Sequence, residues 1–211
     1  MSLSFTNEWF IFNEEIDKKT CDKIKKLGQG NWEESSVDTA KGTTDEERRT
    51  GKKGDYKPDP KLRISDVFWT TEQWVYDLTF PYMMEANKKA GWNLNIKAAE
   101  SMQITRYKKG GFYSFHTDGR ADHLSTYDNP GNSFMDGHVR KISMSIILNG
   151  NFSGGAFEFA SYGKEECTIT PIKAQAGDII FFPSGMEHRV APVTKGTRYS
   201  LVNWFVGPPV V

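Results

Sequence analysis

The pattern of hydrophobic positions changes its period near residue 100. In the first part of the chain, apolar residues recur at helical spacing, as at Ile16, Ile24 and Leu27. Asn13 stands where a helix N-cap is expected, and Gly28 stands where the helix can end. This segment therefore predicts a helix that begins at Asn13.

A second helix is predicted after Thr71, which can cap a segment containing Trp74, Val75 and Leu78. Pro81 should kink or split this helix, because proline lacks the backbone N–H of the helical ladder. Between the two helices, residues 38–61 are charged and rich in glycine and proline, with no apolar repeat. They predict a mobile loop.

After residue 100 the period is two, which indicates β-strands. Glycine pairs and an Asn-Gly pair separate these segments as turns. Helices followed by many short strands favour a mainly β, α+β domain, such as a helix-supported jelly roll or sandwich. The predicted strands are residues 101–107, 141–148, 178–182 and 197–206.

Composition narrows the function classes. The chain has 211 residues, which fits one domain, and 27 basic residues balance 27 acidic ones. A zero net charge argues against a dedicated nucleic-acid partner. Two cysteines, Cys21 and Cys167, favour a reducing, cytoplasmic setting over a disulfide framework. The N-terminal residues lack a signal-peptide pattern, and no apolar stretch is long enough to predict a membrane span.

His116 and Asp118 are two residues apart at the end of a predicted strand, so they lie on the same face. Two histidines and one carboxylate on one side of an ion form the ligand set of non-haem Fe(II) oxygenases. Of the remaining histidines, His123 and His138 lie in a polar stretch typical of a surface loop. His188 follows a buried-type strand and a tight turn, so it is the better third ligand.

Arg198 and Ser200 share one face of the last predicted strand. An arginine on the inner face of a β-barrel is costly unless an anion neutralises it. A dicarboxylate is a suitable anion, since guanidinium and carboxylate pair through two parallel hydrogen bonds. The competing interpretation is an ion pair with one of the acidic side chains.

Several motifs together resemble the core of the prolyl 4-hydroxylase superfamily, whose members are Fe(II) and 2-oxoglutarate dependent dioxygenases. The resemblance covers residues 100–207 in the same order and spacing and is weaker over residues 62–99. The motifs are Gln103-Ile-Thr-Arg-Tyr107, Gly110-Gly-Phe-Tyr-Ser-Phe-His-Thr-Asp118, Arg140 to Asn149, Phe152 to Phe157, Ala176 to Pro183, Glu187-His-Arg-Val190 and Gly196-Thr-Arg-Tyr-Ser200.

The resemblance implies a double-stranded β-helix that binds Fe(II) through His116, Asp118 and His188. It implies that Arg198 binds the distal carboxylate of 2-oxoglutarate and that Tyr107 contacts the same cosubstrate. Ser200 is a further candidate for that contact, because Ile147 replaces a tyrosine found in some members. The implied reaction is oxidative decarboxylation of 2-oxoglutarate coupled to hydroxylation of a peptidyl proline, with ascorbate as an expected reductant.

Other interpretations stay open. The substrate could be a free amino acid or another small molecule, and the domain could be a jelly-roll binding module without turnover. A metal-dependent isomerase or hydrolase on a similar barrel would need no cosubstrate arginine. Nucleic-acid demethylases of the superfamily carry a second arginine six residues after the first, where this chain has Trp204.

The predicted organisation is one catalytic domain over residues 1–211. Residues 1–99 form the helical support, and residues 100–207 form the β-helix core. The loop at 38–61 is a candidate lid over the substrate, because loops on a rigid barrel often carry binding residues. The alternative is a loop with no role in binding.

Overall fold

A computed structural model describes residues 7–38, 56–119, 126–128, 130–163 and 166–209. Its two helices are α1 (Lys18–Leu27) and α2 (Gln73–Lys89). The strands before residue 100 are β1 (Phe10–Phe12), β2 (Glu33–Glu34), β3 (Val37–Asp38), β4 (Tyr56–Lys57), β5 (Arg63–Ile64), β6 (Asp66–Thr70) and β7 (Ala98–Ala99). Those after it are β8 (Met102–Tyr107), β9 (Phe112–His116), β10 (Val139–Ile147), β11 (Phe152–Gly154), β12 (Phe157–Tyr162), β13 (Cys167–Ile172), β14 (Ile179–Pro183), β15 (His188–Val190), β16 (Val193–Gly196) and β17 (Arg198–Gly207).

Two antiparallel sheets form the body of the domain. The large sheet has the order β1-β14-β10-β17-β8-β6-β2, with β7 also paired to β17. The small sheet has the order β13-β12-β15-β9-β5. The inner faces of the sheets meet where Phe182 of the large sheet contacts Phe157 and Phe159 of the small one, at ring-centroid distances of 5.6 and 5.1 Å.

The alternation of side chains along the strands builds two cores. On β14, Ile179 and Phe181 point to the outer core, where the helices pack, and Ile180 and Phe182 point to the inner core between the sheets. Both faces of β14 are therefore buried, which explains its continuous apolar run. On β10 the outer face is apolar, while Ser143 and Ser145 lie on the inner face.

The first helix begins later than the sequence predicts. Its N-cap is Asp17, whose side chain accepts a hydrogen bond from the backbone N of Thr20 at 2.9 Å, not Asn13. The preceding residues are bonded elsewhere, since the backbone N of Glu14 donates to the Asp178 carboxylate at 2.7 Å. Distant contacts thus hold residues 13–16 out of the helix.

The second helix is not split at Pro81. It is a single element of 17 residues that ends at Lys89, next to Gly91 with its positive φ of 74°. Val75 and Met83 of this helix are fully buried in the outer core. That packing offsets the cost of the interior proline, which leaves the Asp77 carbonyl without its helical donor.

The mobile loop predicted at 38–61 includes residues that lie in strands in the structure. Val37 and Asp38 pair with Lys57 and Tyr56 as the short ladder β3–β4. Residues 39–55 lie outside the described residues, so the lid hypothesis stays a prediction.

The α+β, mainly β prediction is confirmed, since the described residues form two helices and two main sheets. No helix in the described part of the chain is long and apolar enough to cross a membrane.

Candidate metal centre

Neighbouring strand ends of the small sheet bring the two predicted histidines together. His116 ends β9, His188 begins β15, and the two are direct partners in the antiparallel register. Asp118 lies just beyond β9, with its carboxylate oxygens 3.6 Å from His116 Nε2 and 3.5 Å from His188 Nε2. The possible ligand atoms of the three residues all lie within 4.8 Å of one another, so the group can hold one metal ion.

Backbone contacts fix Asp118 although it lies outside a strand. Its N–H and that of Gly119 both donate to the carbonyl of Ser184 at 3.0 Å. Ser184 is in turn linked to β10, because its hydroxyl lies 2.9 Å from the hydroxyl of Ser143. The turn between β14 and β15 therefore positions Asp118 as well as His188.

Hydrogen bonds on the far side of each imidazole orient both histidines. Nδ1–H of His116 donates to the Ser114 carbonyl at 2.8 Å, and Nδ1–H of His188 donates to the Met186 carbonyl at 2.9 Å. Because a carbonyl can only accept, Nδ1 carries a proton in both rings, and in the neutral form of each ring the lone pair is on Nε2, which faces Asp118. This is the tautomer that a metal needs.

Burial sets the charge state of the centre. Burial, with a smaller contribution from His188, lowers the pKa of His116, so this imidazole is neutral near pH 7. Burial alone would raise the pKa of Asp118, but the nearby imidazoles lower it overall, so the carboxylate stays ionised. Two histidines and one carboxylate form the ligand set of non-haem Fe(II) oxygenases.

Aromatic rings enclose the centre. Tyr113 stacks on His116 with ring centroids 3.6 Å apart, and Phe157 stacks on His188 at 5.4 Å. Phe182 meets the edge of His188 at 4.6 Å. Burial raises the pKa of Tyr113 to about 12, so this ring stays a neutral phenol. The rings restrict both the rotation of the ligands and the access of water.

The predicted cosubstrate residues lie on the large sheet beside the same cavity of about 440 Å³. Arg198 and Tyr107 are cross-strand partners on β17 and β8, with the guanidinium carbon 5.6 Å from the Tyr107 ring. Tyr107 and Ser200 line the cavity together with all three metal-ligand candidates.

Arg198 is 1% exposed and has no acidic partner among the described residues. Its Nη1–H donates to the Ser200 hydroxyl at 3.1 Å, but Nε and Nη2 have no acceptor in the described part of the chain. Burial lowers the pKa of Arg198, which shows that its charge is poorly compensated. The competing interpretation, a structural ion pair at Arg198, is therefore not seen within the described ranges.

A network that sequence reasoning missed supports Asp118 from another side. Arg140 forms two hydrogen bonds of 2.6 Å with the Glu100 carboxylate, and its Nη1 donates to the Asp118 carbonyl at 3.3 Å. The guanidinium also lies 4.0 Å from the ring centre of Trp204. The Tyr127 hydroxyl donates to Glu100 at 2.8 Å. No local signal could reveal this network, because Glu100 and Arg140 are 40 positions apart.

A second buried arginine, Arg63, was also missed. It is 8% exposed, lines the cavity, and lies over the Tyr113 ring at 4.6 Å. The sequence predicts a loop just before Arg63, and the pairing of β5 with β9 sets the position of Arg63. Of the alternative histidines, His138 is not part of the metal-ligand group, and His123 lies outside the described residues.

The fold and the centre together define a mainly β protein with two histidines and one carboxylate placed so that they could hold one metal ion. Residues 102–206 match the family described as the 2OG-Fe(II) oxygenase superfamily. A curated relative, a PKHD-type hydroxylase of Xylella fastidiosa strain M12, is 36% identical over 107 residues. That match covers 48% of this chain and 42% of the relative, so the chain spans less than half of the relative's length.

Solved structures share the fold. A Pseudomonas putida prolyl-4-hydroxylase superimposes with a TM-score of 0.60 at 17% identity, covering 95% of this chain and 92% of that one. A prolyl hydroxylase from Trichoplax adhaerens was solved in complex with a hypoxia inducible factor oxygen degradation domain peptide fragment. It superimposes with a TM-score of 0.63 at 17% identity, covering 95% of this chain and 84% of that one. The chain belongs to the 2OG-Fe(II) oxygenase superfamily and has a jelly-roll fold like that of the prolyl hydroxylases.

Proposed function

We propose that this protein is a dioxygenase that couples the oxidative decarboxylation of 2-oxoglutarate to the hydroxylation of a substrate C–H bond. The observation that carries the proposal is Arg198, a buried guanidinium without an acidic partner among the described residues. It contacts Ser200 and Tyr107, which line the cavity that contains a possible metal centre. A binding module without turnover would have no need for both features.

His116, Asp118 and His188 would hold Fe(II), since their donor set suits that ion and leaves positions open for other ligands. When bound, the metal supplies the activation of oxygen and the oxidation of the substrate. The residues around it restrict ligand rotation through the Nδ1 hydrogen bonds and exclude water through the aromatic rings.

Arg198, Ser200 and Tyr107 would bind the distal carboxylate of 2-oxoglutarate. Nε and Nη2 of Arg198 offer two donors in the fixed fork that matches a carboxylate. The Ser200 hydroxyl accepts a hydrogen bond from Arg198. The O–H groups of Ser200 and Tyr107 can both donate to the same carboxylate.

The order of the strands supports a double-stranded β-helix as the finer description of the fold. Along the chain, β8, β9, β10 and β12 alternate between the large and the small sheet, and β13, β14, β15 and β17 alternate in the opposite sense. This alternation places the ends of β9 and β15 at one mouth of the body.

A peptidyl proline is the substrate that we put first, supported by the resemblance to prolyl hydroxylases and by the peptide-bound structural neighbour. A free amino acid or other small molecule is the second candidate, favoured by the buried Arg63 on the cavity wall. Ascorbate as reductant is part of the proposal by resemblance only.

Succinate formation tests the proposal. The protein is incubated with Fe(II), 2-oxoglutarate and oxygen, with either proline-containing peptides or free amino acids. We expect succinate to rise with the true substrate and to be absent in His188→Ala. Arg106→Ala is a suitable control, because Arg106 pairs with Asp66 away from the cavity. No succinate and no 2-oxoglutarate binding in the wild type would refute the function.

A further inference from the structure

Arg63 is a buried cation whose side-chain hydrogen-bond partners, among the described residues, are neutral. Its Nε–H donates to the Ser65 hydroxyl and its Nη2–H to Gln103 Oε1, each at 2.8 Å. Gln103 Oε1 also accepts from the Thr105 hydroxyl at 3.1 Å, which holds the amide in place. Arg63 is only 8% exposed, yet it forms no salt bridge with any acidic side chain among the described residues.

The position of Arg63 connects it to the metal centre. Its guanidinium packs on one ring, Tyr113, and that ring stacks on His116. Arg63 and Tyr113 are also cross-strand partners on β5 and β9. The guanidinium therefore lies along the cavity wall next to the ligands, on the small-sheet side, whereas Arg198 is on the large sheet.

The charged groups of the described residues around the cavity leave one cation without a counter-charge under the proposed function. Arg140 is neutralised by Glu100. A divalent ion with Asp118 leaves one positive charge, and Arg198 and Arg63 add one each. The two carboxylates of 2-oxoglutarate neutralise two of these three charges, with the distal one placed at Arg198. The remaining positive charge is that of Arg63, and a buried charge without a counter-charge is costly.

We propose that Arg63 is a specificity-determining residue that recognises a carboxylate of the substrate. The proposal rests on the function proposed above and names the chemical class of its substrate. Ser65 and Gln103 occupy Nε–H and one Nη2–H of Arg63 and so fix the plane of the guanidinium. Nη1 and the second Nη2–H remain as a pair of donors, which suits a planar carboxylate better than a neutral amide. The carboxylate can belong to a free amino acid, to the C-terminus of a peptide or to an acidic side chain near the reacting residue.

Matched acid and amide probes test the proposal and separate these sources. The pairs are L-proline against L-prolinamide, a prolyl peptide with a free against an amidated C-terminus, and a peptide with Asp against Asn beside the proline. Each is added to the wild type with Fe(II) and 2-oxoglutarate. Succinate formation is measured in air, and the shift of the melting temperature is measured without oxygen. We expect one pair in which the acid is favoured by about 10- to 100-fold in KM, as for a charge-assisted contact.

Variants assign the preference to Arg63. Arg63→Gln should remove the discrimination between acid and amide, and Arg63→Lys should restore part of it. The affinity of Arg63→Gln for 2-oxoglutarate, measured without oxygen, should stay close to that of the wild type, because Arg198 binds the cosubstrate under the proposed function. Arg106→Gln is the control, since it removes a guanidinium from the opposite face of β8.

Three results would overturn the proposal: equal use of acid and amide by the wild type, an acid preference that survives in Arg63→Gln, or a loss of 2-oxoglutarate affinity in that variant. The last result would assign Arg63 to the cosubstrate. If the variants do not fold, the acid and amide comparison in the wild type decides alone. Failure of the proposed function is distinct, because the wild type would then show no binding of 2-oxoglutarate and no succinate.

Discussion

Replacing Arg198 by methionine tests the central assignment most directly. Methionine keeps most of the side-chain volume but removes the charge and all five donors of the guanidinium. Arg198 is 1% exposed and has two nitrogens without an acceptor among the described residues. The substitution should therefore weaken 2-oxoglutarate binding without removing any ion pair of the ligand-free protein.

The expected magnitude follows from the contacts. A hydrogen bond to a charged group contributes about 1.5–3 kcal/mol, which corresponds to about 10- to 100-fold in the dissociation constant. The ligand-free variant should be at least as stable as the wild type, because a buried charge without a counter-charge destabilises the folded protein. Tyr107→Phe removes a single neutral donor, about 0.5–1.5 kcal/mol, and should weaken binding less.

Thermal unfolding measures both effects in one experiment. At a 2-oxoglutarate concentration about 100 times the wild-type dissociation constant, binding stabilises the wild type by about 2.7 kcal/mol. A variant that binds about 100-fold more weakly would keep only about 0.4 kcal/mol of this stabilisation. For a domain of this size the shift in melting temperature should be about 5–11 °C in the wild type and about 1 °C in Arg198→Met. Metal binding should be unaffected.

Two outcomes would contradict this reasoning. An unchanged 2-oxoglutarate shift in Arg198→Met would mean that the guanidinium does not bind the cosubstrate. A loss of about 3–5 kcal/mol in the ligand-free variant would mean that Arg198 belongs to a buried ion pair with an acidic residue outside the described ranges. Arg106→Met controls for the general effect of removing an arginine, since Arg106 pairs with Asp66 outside the cavity.

Three further predictions concern the supports of the site. His188→Ala should abolish Fe(II) binding, measured by metal analysis after dialysis, and a protein that retains one full equivalent would contradict the assignment. Glu100→Gln should weaken the contact of Arg140 with the Asp118 carbonyl, and should lower the unfolding free energy or the iron-binding free energy by about 1.5–3 kcal/mol. If neither quantity changes, the network does not support the site. Ile104→Ala should lower the unfolding free energy by about 2–5 kcal/mol in denaturant titration, because Ile104 is fully buried in the outer core.

The sequence predicts best where strand periodicity alone decides the geometry. A spacing of two residues puts His116 and Asp118 on the same side of the chain. The same period separates the polar face of β8, which carries Gln103 and Tyr107, from the apolar face of that strand. The structure has these side chains around one cavity. A local rule is sufficient for β8, because the side-chain direction in a strand depends only on the position along it. Asp118 lies beyond the end of β9, and its place also depends on the hydrogen bond from its N–H to the Ser184 carbonyl.

Sequence reasoning fails where a distant contact overrides a local preference. Asn13 is a good N-cap by type, but the backbone of Glu14 is bonded to Asp178, 164 positions away, and the helix begins after Asp17. Arg63 was hidden for the same reason, since only the pairing of β5 with β9 brings it to the cavity. Neither contact leaves a periodic signal in the chain.

The placement of charge explains how a chain of zero net charge can select anions. Twenty-seven basic residues balance 27 acidic ones overall, yet Arg63 and Arg198 have no acidic partner among the described residues. Arg63 lies on β5 of the small sheet and Arg198 on β17 of the large sheet, and the side-chain hydrogen bonds of both guanidiniums go to neutral groups. Each unmatched charge destabilises the ligand-free protein, and only an anion bound on that side relieves it. Selectivity therefore depends on where charge is left unpaired, which composition does not reveal.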